Sequence, residues 1–201
     1  MTQWIENPEG GRARGPRALA RAWFEVLTRP RRFFAAAVAP ADQAPGLFFL
    51  MTVVLFEEAS RYLLVAGAAP EIGGLPVAGP LLGLALTVVF VAPVGLHLSV
   101  ALQTLLLRVT VPERAGISET VQVMAYASAP CVFAGLPIPA VRVVCTLYGF
   151  VLLTVGLAVV HDAPYSRVLP AAAIPGALVF GYAFRGFGAA NDLIAQLGAL
   201  L

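Results

Sequence analysis

Glu57, Glu58 and Arg61 stand in the middle of an apolar run, PGLFFLMTVVLFEEASRYLLVAGAA, from Pro45 to Ala69. A helix of that length crosses a bilayer, and at a rise of about 1.5 Å per residue Glu57 lies roughly 18 Å from Pro45, near mid-membrane. A charge at such depth costs about 2.5–3.5 kcal/mol unless it finds a partner or a wet cavity. Two chemistries follow. In the first, the acids and Arg61 form an intrahelical ion pair: Glu57 and Arg61 are one turn apart, acid before base, and Glu58 is three residues from Arg61. One carboxylate is then left to find a partner or a proton. In the second, the carboxylates bind a proton or a cation, the default reading of ionisable groups inside a membrane. His97 is the only titratable residue of the apolar segment 77–107 and joins the candidate cluster of Glu57, Glu58, Arg61 and His97. Two carboxylates and an imidazole can hold zinc or iron if the first two spans lie antiparallel. A lone histidine in an apolar helix is more often a neutral packing residue, and no metal or cofactor is expected.

Hydrolytic chemistry needs more than this. The stretch EEASR resembles the paired-glutamate motif EExxxR of intramembrane prenyl-protein proteases, but Arg61 comes one residue early and turns to a different face. Their histidine contexts also fail, with Pro93 four residues before His97 and Tyr165 four after His161. No HExxH, GxSxG, GxxxxGK or dinucleotide fingerprint occurs. A non-enzymatic protein is expected. Cys131 and Cys145 lack CxxC spacing and read as small buried hydrophobes.

The elements that must carry these residues are membrane helices. The 201 residues are 59% hydrophobic and 12% charged, about half the charged share of a soluble domain. The expected fold is all-α: a polytopic five-helix transmembrane bundle over residues 41–201, preceded by a cytoplasmic segment, residues 1–40, with an amphipathic interfacial helix. The spans are expected at about residues 46–69, 79–107, 119–136, 141–160 and 168–189. The second is overlong and should tilt or kink near Pro93. The third should be kinked or broken, since Tyr126 and Pro130 are followed by Pro137 and Pro139. Arg185 is placed to snorkel from the last turn of the fifth. Gly79 and Gly83 form a GxxxG pair that favours a tight bundle or self-association.

All thirteen basic residues are arginine, and seven precede residue 33. A net charge of +2 gives no reason to expect nucleic acid. The arginine distribution places the N-terminus inside and the C-terminus outside, with Arg142 dissenting. Residues 1–15 read as loosely ordered. The helix PRALARAWFEVLT, followed by RPRRFF, is expected to meet the lipid surface through Arg17, Arg21, Trp23, Arg31 and Arg32; the alternative is that it packs on the protein's own cytoplasmic face. The bilayer is the expected partner, with other membrane proteins or a second copy beside it.

Several short motifs resemble the Yip family of small five-span membrane proteins. They are the W-x3-L-x2-P pattern of Trp23, Leu27 and Pro30 with FF after it, AYASAP from Ala125 to Pro130, the following Pro137-x-Pro139, and a fourth span ending GLAVVH. The resemblance implies five transmembrane helices, a cytoplasmic N-terminus and a part in membrane organisation or in binding other membrane proteins. Eukaryotic members are implicated in vesicle traffic and bind prenylated small GTPases; this chain lacks their DLYGP-like N-terminal motif. With the arginine-only composition, an archaeal or bacterial cell membrane is the expected setting.

Overall fold

Proline placement sets most of the element boundaries. A computed structural model describes residues 3–6, 12–72 and 77–199. Gln3–Glu6 (β1) and Arg12–Arg14 (β2) pair antiparallel, in place of the loose order expected of residues 1–15. The rest of that stretch lies outside the described residues, as do residues 73–76 of the PEIGGLP loop. Helix α1 (Gly15–Thr28) is separated by Pro30 from α2 (Pro30–Ala37), and Pro45 opens α3 (Ala44–Leu64). Helix α4 (Ala78–Leu86) runs through a π-helical turn, Thr87–Val91, into α5 (Ala92–Thr110). Pro93 stands just beyond that turn, where a kink is expected. Then come α6 (Ile117–Ala127), a 3-10 turn (Ala129–Phe133) and α7 (Pro139–Val160). Helix α8 (Tyr165–Gly176) continues as a second π-helical turn, Ala177–Ala183, before α9 (Gly186–Gly198).

Among the described residues, three runs are long and apolar enough to cross a membrane: Ala78–Thr110, Pro139–Val160 and Tyr165–Ala183. The expected first and third spans do not qualify by themselves. Helix α3 has 21 residues but carries Glu57, Glu58 and Arg61, and α6 has only 11. Pro130 causes the second shortfall, since it has no amide to extend α6 and the chain tightens into the 3-10 turn.

Helix α6 is the axis of the bundle, with every residue from Thr120 to Cys131 buried. It runs alongside α3 in the same direction. A Cβ on Gly46 would stand 2.9 Å from Gln122 Cα, and farther along Gly135 lies directly on the carbonyl of Glu57. Between these points Tyr126 is the hub of an aromatic cluster, with Phe33 at 4.9 Å and Phe49 at 5.1 Å in edge-to-face geometry.

Side chains take up backbone groups that the proline breaks leave without helical partners. The Gln122 amide donates to Ala39 O (2.6 Å) and its oxygen accepts from Ala39 N–H (3.1 Å), tying down the α2–α3 connection. Trp23 Nε1 donates to Ala129 O in the 3-10 turn (2.9 Å), and the Tyr148 hydroxyl donates to the carbonyl of Leu27 at the end of α1. Pro175 has no amide for the carbonyl of Ala171 one turn earlier. Gln103 Nε2, fully buried, donates to that oxygen at 3.0 Å instead.

Two sequence expectations change here. The apolar face of the α1–α2 arm is used by the bundle: Ala18, Ala22, Val26, Phe33 and Phe34 are buried, and Trp23 turns inward onto Phe49 (4.7 Å). Arg17, Arg21, Arg31 and Arg32 are exposed. The GxxxG pair seats the chain's own loop. Gly83 abuts the ring of Pro70, and a Cβ on Gly79 would stand 3.0 Å from Ile72 N, so these glycines are covered within one copy.

Candidate functional site

The charged cluster is built by two helices far apart in sequence. Helix α3 brings Glu57 and Glu58, which are 2% and 7% exposed. The second π-helical turn ends at Ala183, and after Phe184 the chain turns into α9 with Arg185 in the left-handed conformation (φ 59°). That turn aims its guanidinium back at α3. Arg185 Nη1 donates to Glu58 Oε1 at 3.0 Å, and Nη2 donates to Glu57 Oε1. Arg61 takes Glu58 from the other side, with Nη2 and Nε both on Oε2 at 2.6 and 2.9 Å, while its Nη1 donates to Ala68 O. Two carboxylates thus meet two guanidinium groups, and the formal charges cancel.

The pairing differs from the sequence expectation at three points. Arg61 pairs with Glu58, three residues away, and not with Glu57. Arg185 does not snorkel outward; it is the cross-bundle partner of both acids. His97 is absent from the cluster. Its Nδ1 is 2.7 Å from Pro93 O and its Nε2 is 3.2 Å from Gln43 Oε1. Gln43 caps α3 fourteen residues before Glu57, about 21 Å along the helix axis. A Glu57–Glu58–His97 metal site is therefore not assembled. Among the described residues no group of three or more His, Cys, Asp or Glu is placed to hold a metal ion.

The charge count held a signal for Arg185. Two acids and one arginine on the first apolar run leave one negative charge unbalanced, and Arg185 is one of few cations at the end of another such run. The residues around the α6 break frame the same region. Tyr126 is fully buried, Pro130 lies in the 3-10 turn, Pro137 is exposed and Pro139 opens α7. Arg142, one turn into α7, donates to Ala134 O (2.7 Å) and Leu136 O (3.3 Å), holding the loop that sets Gly135 on Glu57.

A cavity of about 260 Å³ reaches the cluster from the side. Both π-helical turns line it, through Thr87 and Val91 from one and Leu178, Val179 and Ala183 from the other, and Glu57 and Glu58 are among its buried lining residues. A π-helical turn inserts a residue and widens the backbone locally, and such turns recur at functional sites. The remaining lining is mainly apolar.

A different polar site closes the opposite end of α7. His161 is 3% exposed; its Nδ1 accepts from Ala115 N–H at 3.1 Å, and its Nε2 is 3.3 Å from Thr120 Oγ1. Thr120 itself donates to Gly116 O, so the ring is neutral with its proton on Nε2. Burial pushes the imidazole down from its ordinary 6.5 to about 4; Glu119 opposes that shift and Arg114 adds to it.

The Yip1 domain matches residues 24–185, from α1 to Arg185 itself. The chain belongs to the Yip1 domain family. With its three long apolar runs, that makes it a membrane protein. The matched range contains all four members of the charged cluster and both π-helical turns. No curated protein and no solved structure matches the chain.

Proposed function

We propose that this Yip-family chain is a non-enzymatic, five-span protein of an archaeal or bacterial cell membrane that organises other membrane proteins as a scaffold. Its N-terminus is cytoplasmic and its C-terminus outside. The reading rests on the Glu57–Glu58–Arg61–Arg185 cluster. Charge-balanced groups, each paired, make a crosspiece between α3 and the α8–α9 junction, and such ionic registers fix how helices assemble. The five-span count takes α3 and the α6–3-10 segment as spans because the cluster and the α1–α2 arm shield what those segments could not expose to lipid. Reporter fusions at the two termini test the topology: opposite-side signals are expected, and equal cytoplasmic signals refute it. Crosslinking in native membranes tests the scaffold. Defined complexes should survive replacement of all four charged residues by apolar ones, provided the variant folds. A wild-type protein that yields no defined complex refutes the role.

A second reading is favoured by one observation, the cavity that reaches Glu57 and Glu58. In it the chain is a small transporter or channel subunit with a carboxylate proton or cation site. Reconstituted liposomes decide it. Flux that depends on pH and disappears in Glu57→Gln establishes transport, and no flux above empty liposomes excludes it.

A further inference from the structure

The Glu57 carboxylate uses one oxygen and leaves the other open. Oε1 accepts from Arg185, whereas Oε2 has no hydrogen bond among the described residues, although the residue is only 2% exposed and lines the cavity. Thr87 and Ser99 add two hydroxyl groups to a lining that is otherwise mostly hydrocarbon. The exposed members of the lining, Val91, Gly95, Leu178 and Ala183, come from α5 and the two π-helical turns, so the cavity opens sideways between them. Around that mouth stand Phe90, Val94 and Tyr182, all more than half exposed. An apolar mouth of this kind faces lipid, and its occupant must enter from the bilayer.

We propose that this cavity binds a single-chain lipid with an uncharged hydroxyl head, whose O–H donates to Glu57 Oε2 while its chain fills the apolar walls. Three observations select that class. The open carboxylate oxygen calls for a donor, which excludes carboxylate and phosphate heads by repulsion. The cluster is already neutral, so an ammonium head would leave a net buried positive charge and forfeit its hydration. At about 260 Å³ the space is just under the roughly 300 Å³ at which small-molecule pockets begin, and it takes one alkyl chain, not two. Thr87 and Ser99 stand twelve residues apart on one helical run, roughly 18 Å along its axis, so at most one of their hydroxyls meets the head and the other lies along the chain. The inference concerns ligand binding alone, so its failure leaves the scaffold reading untouched.

The test uses the full chain in detergent, labelled by a diazirine analogue of decanol, with adducts mapped by peptide. Labelling should concentrate on Thr87, Val91 and Val179, and decanol should compete it. Decane and decanoate should compete at least about tenfold less well, since a hydrogen bond to a charged acceptor is absent. Gly95→Leu should abolish labelling while leaving the unfolding midpoint in place, because a Cβ at Gly95 meets nothing within 4 Å. Ala92→Leu narrows the same cavity from the preceding turn and must act alike. The proposal is overturned by equal competition from decane, by decylamine competing best, by labelling scattered over the outer surface, or by undiminished labelling in both filled variants.

Discussion

Removing Arg185 should destabilise the protein more than removing Arg61, though both hold Glu58. In Arg185→Met, Glu58 keeps its two bonds from Arg61, but Glu57 loses the cation bonded to it at a position 2% exposed. An orphaned charge in a fully buried pair costs about 3–5 kcal/mol. The Arg185 side chain is 30% exposed, so solvent reaches one side of the pair and about 2–4 kcal/mol is expected. In Arg61→Met, Glu58 still has Arg185 at 3.0 Å, and Arg61 is 22% exposed; about 1 kcal/mol is expected. The decisive comparison is a double-mutant cycle. Glu57→Gln in the Arg185→Met background removes the stranded charge and should recover about half or more of the loss, giving a coupling energy in the upper part of the ~0.5–3 kcal/mol range for contacting residues. Reversible unfolding in mixed micelles provides the assay. Equal costs for the two arginine variants, or no recovery in the double variant, would show that the cluster does not hold the α3 to α8–α9 junction.

Gln103→Leu leaves the Ala171 carbonyl buried without a donor and should cost about 1–3 kcal/mol, as read by the same unfolding assay. Adding Pro175→Ala restores the missing amide and should rescue that variant; if it does not, the side chain is not substituting for the helix bond. His161 is neutral when folded and titrates near 6.5 when unfolded, so the unfolded state binds the extra proton between those values. Stability is then full above pH 6.5 and falls as pH drops toward about 4, by up to roughly 3 kcal/mol at 1.36 kcal/mol per unit. His161→Gln should flatten that slope, and a slope that survives places the titration elsewhere. Gly135→Ala should destabilise the protein by more than 1 kcal/mol, because a Cβ there runs into the Glu57 carbonyl and Ser60 Oγ. Gly95→Ala, in open space on a helix, should be neutral or gain up to about 1 kcal/mol. A difference of the opposite sign between the two glycine variants would contradict the α3–Gly135 contact.

Local chemistry made part of this architecture legible. Pro30, Pro45, Pro130 and Pro139 bound helices in the sequence because a missing amide acts within one turn, and each of them stands at an element boundary or in a non-α turn. Glu57, Glu58 and Arg61 demanded attention because charge in an apolar run is costly wherever the run ends up. What could not be read was which distant group answers each demand. Arg185 reaches Glu57 only because the chain turns left-handed at residue 185, and nothing in RGFG specifies the direction of that turn. The arm of α1 and α2 misleads in a related way. A helix with an apolar stripe and an arginine face has the same pattern whether the stripe meets lipid or protein, and it takes tertiary contacts such as Trp23 on Phe49 and its indole bond to Ala129 to distinguish them.

The same contrast explains why α6 can be so short. A helix of 11 residues that ends in a 3-10 turn leaves carbonyls open, which lipid would not tolerate. Here the arm supplies Trp23 to Ala129, and Arg142 supplies Ala134 and Leu136. The break in α6 therefore depends on Trp23 of the arm and on Arg142 of α7, and the break is what sets Gly135 against the carbonyl of Glu57. Arm, break and charged cluster form one connected unit. A change at Trp23 should consequently be felt at Gly135: Trp23→Phe keeps the ring on Phe49 but removes the donor to Ala129, and should cost about 1–3 kcal/mol for the stranded carbonyl. It should also couple to Gly135→Ala in a double-mutant cycle, despite a separation of more than a hundred residues in sequence. Strict additivity of the two would mean that the arm merely covers the bundle and does not set its inner geometry.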